Sequence, residues 1–463
     1  MLKKELIESI INKALDSAAD FAEVFIEDKT QANIMMQSNT VEDVINQKTY
    51  GIGIRVAKGY NSVYGYTNSN KDEDLLKLAS DLAKSFEGNR VRETITLGEL
   101  KSDNAHPIKR KPDTVDVKEK VDIVKRANKA ARDFNEEITQ VSIRYMDYIQ
   151  RVWIASSENL YVHDERVRTR LAISSVASDS KTMQSGFNGP GGLYGFEFYK
   201  TFSVEEAAKE ASRIAVTMLH ADECPSGVMP VVIDNGFGGV IFHEACGHSL
   251  EATSVAKKAS VFSDKKGEKI ANPLVTAIDD GTMPNAWGSA NYDDEGRPQQ
   301  KRTLIKDGIL TSYMVDYLNG KRMNESSTGS GRRESYKYAP TSRMSNTYID
   351  NGESTFEEII SDTEYGLYAK KMGGGSVNPS TGDFNFAVME GYMIRDGKIA
   401  EPVKGATLIG TGKDALLKVD KVGNNLLRAQ GMCGSLSGSI PTDVGQPTIR
   451  VASITVGGRK GAN

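Results

Sequence analysis

In Ile241-Phe242-His243-Glu244-Ala245-Cys246-Gly247-His248-Ser249-Leu250-Glu251, two histidines stand five residues apart, and that spacing dictates the local backbone. At about 100° per residue an ideal α-helix would turn the two imidazoles roughly 140° away from each other, too far for both to reach one ion. If they share an ion, the helix must widen or end between them. Gly247, next to the second histidine, is where a π-bulge or a departure from helical φ/ψ costs least. The residue types give the reason to expect an ion at all. Neutral imidazoles bind Zn²⁺ well, and a carboxylate beside one of them, here Glu244, can stay off the metal and polarise a water that the metal holds. The H-E-x-x-H spacing would put both imidazoles on one helix face, and this chain does not have it. The ordinary alternative is that both histidines are surface or capping residues.

A zinc site needs at least a third protein ligand. The chain holds 5 histidines and 3 cysteines. His106, His163 and His220 lie among polar or charged neighbours with no glycine framing, Cys224 precedes Pro225 in a linker-like stretch, and Cys246 lies inside the motif. Cys433 differs, sitting in Gly431-Met432-Cys433-Gly434-Ser435-Leu436-Ser437-Gly438, a glycine-punctuated turn followed by Pro441 and Gly445-Gln446-Pro447. There it is either a thiolate presented to a distant helix or a buried free cysteine, and the residues alone leave both open.

Three blocks, in this order, carry a resemblance: His243-Glu244-Ala245-Cys246-Gly247-His248; Gly331-Arg332-Arg333-Glu334-Ser335-Tyr336 with Arg343-Met344-Ser345-Asn346-Thr347; and Gly431-Met432-Cys433-Gly434 with Gly445-Gln446-Pro447. Along essentially the whole chain the sequence resembles the TldD/PmbA family of metallopeptidases, and within it the TldD-like catalytic branch, since the partner branch lacks H-E-x-x-x-H. Ser249-Leu250-Glu251-Ala252-Thr253 stands where many members have Gly-Leu-Glu-Gly-Asp, a departure that touches no ligand. The resemblance implies a zinc-dependent peptidase in which His243, His248 and Cys433 hold Zn²⁺ and Glu244 passes a proton from water to the leaving amine. It further implies substrates that are unstructured peptides or leader peptides, and a homo- or hetero-oligomer with a motif-less TldE/PmbA-like paralogue. The alternative it carries is a non-catalytic regulator or scaffold, such as a modulator of DNA gyrase. Arg332-Arg333 would then bind a peptide carboxylate or a developing oxyanion, or, more ordinarily, form surface salt bridges.

Composition excludes several other classes. With 58 basic against 62 acidic residues the net charge is −4, and there is no dense basic run beyond Lys109-Arg110-Lys111, so no direct nucleic-acid partner is expected. An odd number of cysteines in a long chain makes no disulfide framework. The N-terminus has acidic residues where a signal peptide has an apolar core, and no apolar run approaches the roughly 20 residues that span a bilayer. A soluble, cytoplasmic protein without a membrane segment is the expectation.

The organisation predicted is α+β. A small N-terminal α/β domain over 1–88 should hold a helix at 2–18, strands near 22–27, 32–37 and 51–56, a turn at Gly59-Tyr60-Asn61-Ser62, and a helix at 72–86. A polar linker over 89–114 leads to a middle strand-helix region over 115–223, with helices at 117–134 and 203–219. Between those helices lie long strands turning near Asn159 and a glycine loop at 184–192, read as a flexible connection or, less readily, a lid. From 227 to 463 a β-rich catalytic domain follows, with an apolar strand at 228–233 and then Asn235-Gly236-Phe237-Gly238-Gly239 leading into the motif helix. Those glycines lack the full G-x-G-x-x-G and let the helix start close to the strand. The remaining short strands suggest a sheet or barrel-like arrangement. Asp293 and Glu295 read as a solvated acidic turn or as partners behind the metal ligands.

Overall fold

The computed structural model describes residues 2–100, 104–378 and 380–459; Met1, residues 101–103 of the expected linker, Pro379 and residues 460–463 lie outside that description. The molecule is α+β. Its first helix forms over Lys4–Ala14 with Ile7, Ile10, Ile11 and Ala14 buried, the stripe that the spacing marks out. The apolar segments 22–27 and 32–37 are one strand, Phe21–Gln37, paired along its length with Thr40–Lys58. Between them Ser38 and Asn39 both have positive φ, 48° and 71°, as a two-residue type I′ hairpin requires. Residues 42–48 of the second strand are exposed, so no apolar period announces that stretch in the sequence.

On its other side Phe21–Gln37 pairs with Ile138–Ser156, which turns back into Leu160–Ser178. Strands from 1–88 and from 115–223 therefore build one continuous sheet, ordered 61–67, 40–58, 21–37, 138–156, 160–178 and 98–99. One face of it is covered by two helix pairs, Lys4–Ala14 with Asp72–Ala83 and Val117–Arg132 with Val204–Leu219. The expected flexible loop at 184–192 is instead part of the sheet: Met183–Asn188 pairs with Ile173–Ser178 and Gly191-Gly192 with Thr169-Arg170. Gly186 allows that strand to press on the helix over Val204–Leu219, because a Cβ there would lie 2.0 Å from the Ala211 carbonyl oxygen.

From Asp222 onward the chain enters other sheets. Strands 365–377, 227–233, 449–457, 407–411 and 383–395 form a closed ring, since 365–377 pairs with both 227–233 and 383–395. This is the barrel-like arrangement expected of the short strands. A second sheet, ordered 309–310, 301–306, 277–280, 346–349, 438–446 and 427–435, shares the largest apolar core with it. Ile241, Phe242 and Leu250 of the histidine motif are anchored in that core.

The free face of the first sheet packs Phe25, Val152, Ile154, Leu160 and Val162 against Tyr292 and Tyr336 of the C-terminal unit. Several of the charges buried around this contact are paired. Arg55 reaches Glu23 at 2.6 Å and Glu295 at 2.7 Å, Arg166 reaches Asp294 at 2.6 Å, and Arg333 pairs with Glu23. Asp293 accepts the backbone N–H groups of Glu295, Arg297 and Gly331. The expectations for Asp293 and Glu295 as a solvated turn, and for Arg332-Arg333 as surface pairs, are corrected here, because all four residues are buried. A packed sheet face excludes water, so a buried charge is costly unless it finds a partner inside the protein. Removing one member strands the other. Arg333→Met is therefore expected to destabilise the protein by about 3 kcal/mol in denaturant unfolding; a loss below about 1 kcal/mol would mean that water reaches this network.

Candidate metal centre

The motif helix, Val240–Ala245, ends between the two histidines, as a shared ion would require. The break is at Cys246 (φ −129°, ψ −47°), and Gly247–Leu250 then winds as a 3₁₀ turn. Gly247 has a different duty from the one its flexibility suggests: a Cβ there would sit 2.3 Å from Met344 Sδ. Gly239, at the helix start, lies against the backbone of Gly445, where a side chain would bring its Cβ within 2.4 Å of the Gly445 carbonyl oxygen. The turn brings the two imidazoles face to edge, with centroids 5.0 Å apart and planes at 82°.

Cys433 arrives from a distant strand, Leu427–Ser435, and not from a turn; the turn itself is Leu436-Ser437. Its Sγ lies 3.3 Å from His243 Nε2 and 3.4 Å from His248 Nε2. The three donor atoms all fall within 4.8 Å of one another. Glu244 Oε2 is 3.6 Å from His248 Nε2. Behind each ring the other nitrogen is engaged, His243 Nδ1 by Thr347 Oγ1 at 3.4 Å and His248 Nδ1 by Glu251 Oε1 at 3.1 Å, so both Nε2 atoms point toward the sulfur. Arg343, fully buried, donates to the Cys433 carbonyl oxygen, to Ser437 Oγ at 2.9 Å and to the Gly438 carbonyl oxygen at 3.0 Å. Sequence reading missed Glu251, Thr347 and Arg343 as supports. They stand within or beside the motif blocks, but nothing in their types assigns them to the back of this site. The other three histidines lie elsewhere: His106 accepts the Asn285 N–H at 3.2 Å, His163 stacks on Trp153 at 4.8 Å, and His220 bonds Glu137 at 2.8 Å.

Burial pushes the Cys433 thiol up, but the facing imidazoles overcome it and bring it down to about 3. Burial without such neighbours raises Cys224 to about 11 and raises Cys246 further. For His248, burial pulls the value down, while Glu251 and the Cys433 sulfur pull it well above the usual imidazole range. Thiolate and carboxylates thus favour positive charge at the point between them. A two-nitrogen, one-sulfur set with an open side fits the three-ligand pattern of catalytic zinc. His243 and Cys433 are 2% and 6% exposed, against 13% and 25% for the side chains of His248 and Glu244, so the opening is on the Glu244 side.

Comparison with known proteins covers nearly the whole chain. The models for PmbA/TldA metallopeptidase domain 1, central domain and C-terminal domain match residues 22–86, 110–219 and 226–458. The chain belongs to the PmbA/TldD metallopeptidase family. It is 35% identical over 457 residues to the metalloprotease TldD homolog of Haemophilus influenzae, covering 95% of this chain and 93% of that one. The corresponding homolog of Buchnera aphidicola is 34% identical with the same coverage. A relative from Saccharolobus solfataricus, 24% identical over 97% of this chain and 99% of its own, is named a zinc metalloprotease TldD homolog. Among solved structures, a Thermotoga maritima protein described as a candidate modulator of a DNA gyrase superposes with a TM-score of 0.80 at 20% identity, covering 98% of this chain and 99% of that one. TldE from Thermococcus kodakarensis does so with 0.76 at 17%, covering 97% and 99%. These two establish the shared fold. No helix among the described residues is long and apolar enough to cross a membrane.

Proposed function

We propose that this chain is a zinc-dependent peptidase that hydrolyses peptide bonds in unstructured peptides or leader peptides, with the unit from about residue 227 as its catalytic part. The observation behind this reading is the convergence of His243, His248 and Cys433 donor atoms beside the partly open carboxylate of Glu244. His243, His248 and Cys433 would hold the ion, which when bound supplies Lewis-acid polarisation of a water and of the scissile carbonyl. Glu244 takes the proton of the attacking water on a carboxylate oxygen and delivers it to the leaving amine. Glu251 and Thr347 keep the imidazoles turned inward, and Arg343 fixes the backbone from which Cys433 projects.

Elemental analysis of Cys433→Ser tests the ligand set. Serine preserves the size but not the thiolate, so the loss of zinc affinity should exceed the roughly 10–100-fold typical of losing an outer partner. Full retention of zinc would remove Cys433 from the site.

The family's partner branch supports a further part of the reading: an assembly with a motif-less TldE/PmbA-like paralogue, or a homo-oligomer, that narrows the approach to the centre in the cytoplasm. The regulator alternative, which the family resemblance carries, gains support only from what distant structural neighbours are called. Gyrase binding by a metal-free, peptidase-inactive preparation would favour it.

A further inference from the structure

Between the first sheet and the C-terminal unit lies a cavity of about 420 Å³ whose lining includes Arg144, Arg166, Arg168, Arg170, Arg332 and Arg333. Strand periodicity produces much of this concentration. In Arg166-Val167-Arg168-Thr169-Arg170 the arginines alternate along Leu160–Ser178 and so project from one face. Arg166 and Arg333 are matched by Asp164, Asp294 and Glu23. The others differ. Arg168 donates to the carbonyl oxygens of Trp287 (2.8 Å) and Ser289 (2.6 Å) and to Tyr148 Oη. Arg170 donates to the carbonyl oxygens of Gly189 and Gln430, and Arg332 to those of Met344 and Pro441. Among the described residues, none of these three forms an ion pair with a carboxylate.

Buried guanidiniums without a counter-charge are costly, and an anion that enters relieves the cost. Burial, reinforced by Arg168, Arg343 and Arg166, draws Arg332 down to about 10 despite Asp294. Asp443, which favours charge on Arg170, is itself pushed up to about 6 by burial. The cavity also has apolar walls, formed by Tyr148, Trp287 and Met432. It runs along the strand that carries Cys433: Ile440, which lines it, is the strand partner of Cys433, and Trp287 and Arg170 hold the carbonyls of Gly431 and Gln430 two or three residues away. A volume in the small-ligand range, apolar walls and planar guanidinium forks together suit a carboxylate carried on a peptide chain.

We propose that this arginine-lined cavity is a subsite for a carboxylate of the bound peptide, either its free C-terminus or an Asp or Glu side chain near the cut bond. The proposal rests on the peptidase function proposed for the metal centre. Binding to the full-length, zinc-loaded Glu244→Gln chain tests it without turnover, using three labelled peptides of otherwise equal sequence. One has a free C-terminal acid and neutral side chains, one a C-terminal amide with an internal Glu, and one a C-terminal amide with Gln in that place. At least one carboxylate peptide should bind about tenfold or more tightly than the neutral one, as charge-assisted hydrogen bonds imply, and which one does identifies the source. Arg170→Gln should abolish that preference. Arg144→Gln, at an exposed position, should weaken the preference in the same direction. Equal affinity for all three peptides, or binding of none, overturns the subsite. Wild-type cleavage of the same series is read in parallel: cleavage without charge preference rejects the subsite and keeps the peptidase, whereas charge-selective binding without any cleavage does the reverse.

Discussion

Glu244→Gln is expected to keep fold and metal yet lose about 10²–10⁴-fold in kcat, the range that a well-placed acid–base group contributes. Glutamine matches glutamate in length and shape but cannot accept the proton of the attacking water. Glu244 follows His243 on the short motif helix, and its carboxylate lies 3.6 Å from His248 Nε2 on the more open side of the centre. It is therefore close enough to serve a group held by the ligands without being needed to hold the ion itself. Metal content and kcat measured on the same preparation separate the two roles. A parallel fall in zinc would make Glu244 a ligand. Activity within a few-fold of wild type would assign the proton to another group, and Glu251 is a poor substitute because it is buried behind His248.

The centre was legible to the extent that local geometry controls it. Five-residue spacing requires a broken helix for a shared ion, and the helix is broken, although at Cys246 and not at Gly247. Which residue absorbs the break depends on Met344 packing over the glycine, a contact nearly a hundred residues away in sequence that no local rule contains. Cys433 could be singled out by its glycine-rich setting, yet that setting is mostly strand, because pairing with Gly438–Gln446 straightens a segment whose composition suggests a turn. Strands were underread for a related reason. Residues 42–48 have no apolar alternation to detect, since the ladder to 30–35 holds them on an exposed hairpin.

Charge was the least legible feature. A net of −4 describes the whole molecule, whereas the field in a cavity is set by the few groups around it, and Arg166, Arg168 and Arg170 make one sheet face basic regardless of the total. Alternation at period two was the available signal. Asp293, Glu295 and Arg333 were misread in the opposite sense. A charged turn ordinarily belongs in water, and only the docking of a sheet face onto it turns the same residues into a buried network.

Cleavage of a folded protein by this chain is expected to follow that protein's unfolded fraction. His243 and Cys433 are almost wholly enclosed, so an extended segment can bring a carbonyl to them and a compact surface cannot. The adjoining strand Leu427–Ser435 is the edge of its sheet, which invites strand addition. However, Arg170, Trp287 and Arg343 already hold the carbonyls of Gln430, Gly431 and Cys433, so main-chain pairing along this edge is incomplete and the enclosure of His243 and Cys433 must do much of the selecting. Selection by enclosure is indifferent to most side chains but strict about conformation. Where a substrate opens and closes faster than it is cut, the rate follows the open population, which changes tenfold for every 1.4 kcal/mol. A Leu→Ala change in the core of a small substrate domain that costs about 4 kcal/mol should then raise its cleavage about a thousandfold. Stability and cleavage measured on a graded series of such variants, with and without a motif-less paralogue, give the slope directly. Rates that do not move with stability would locate recognition in a surface sequence and reject the conformational gate.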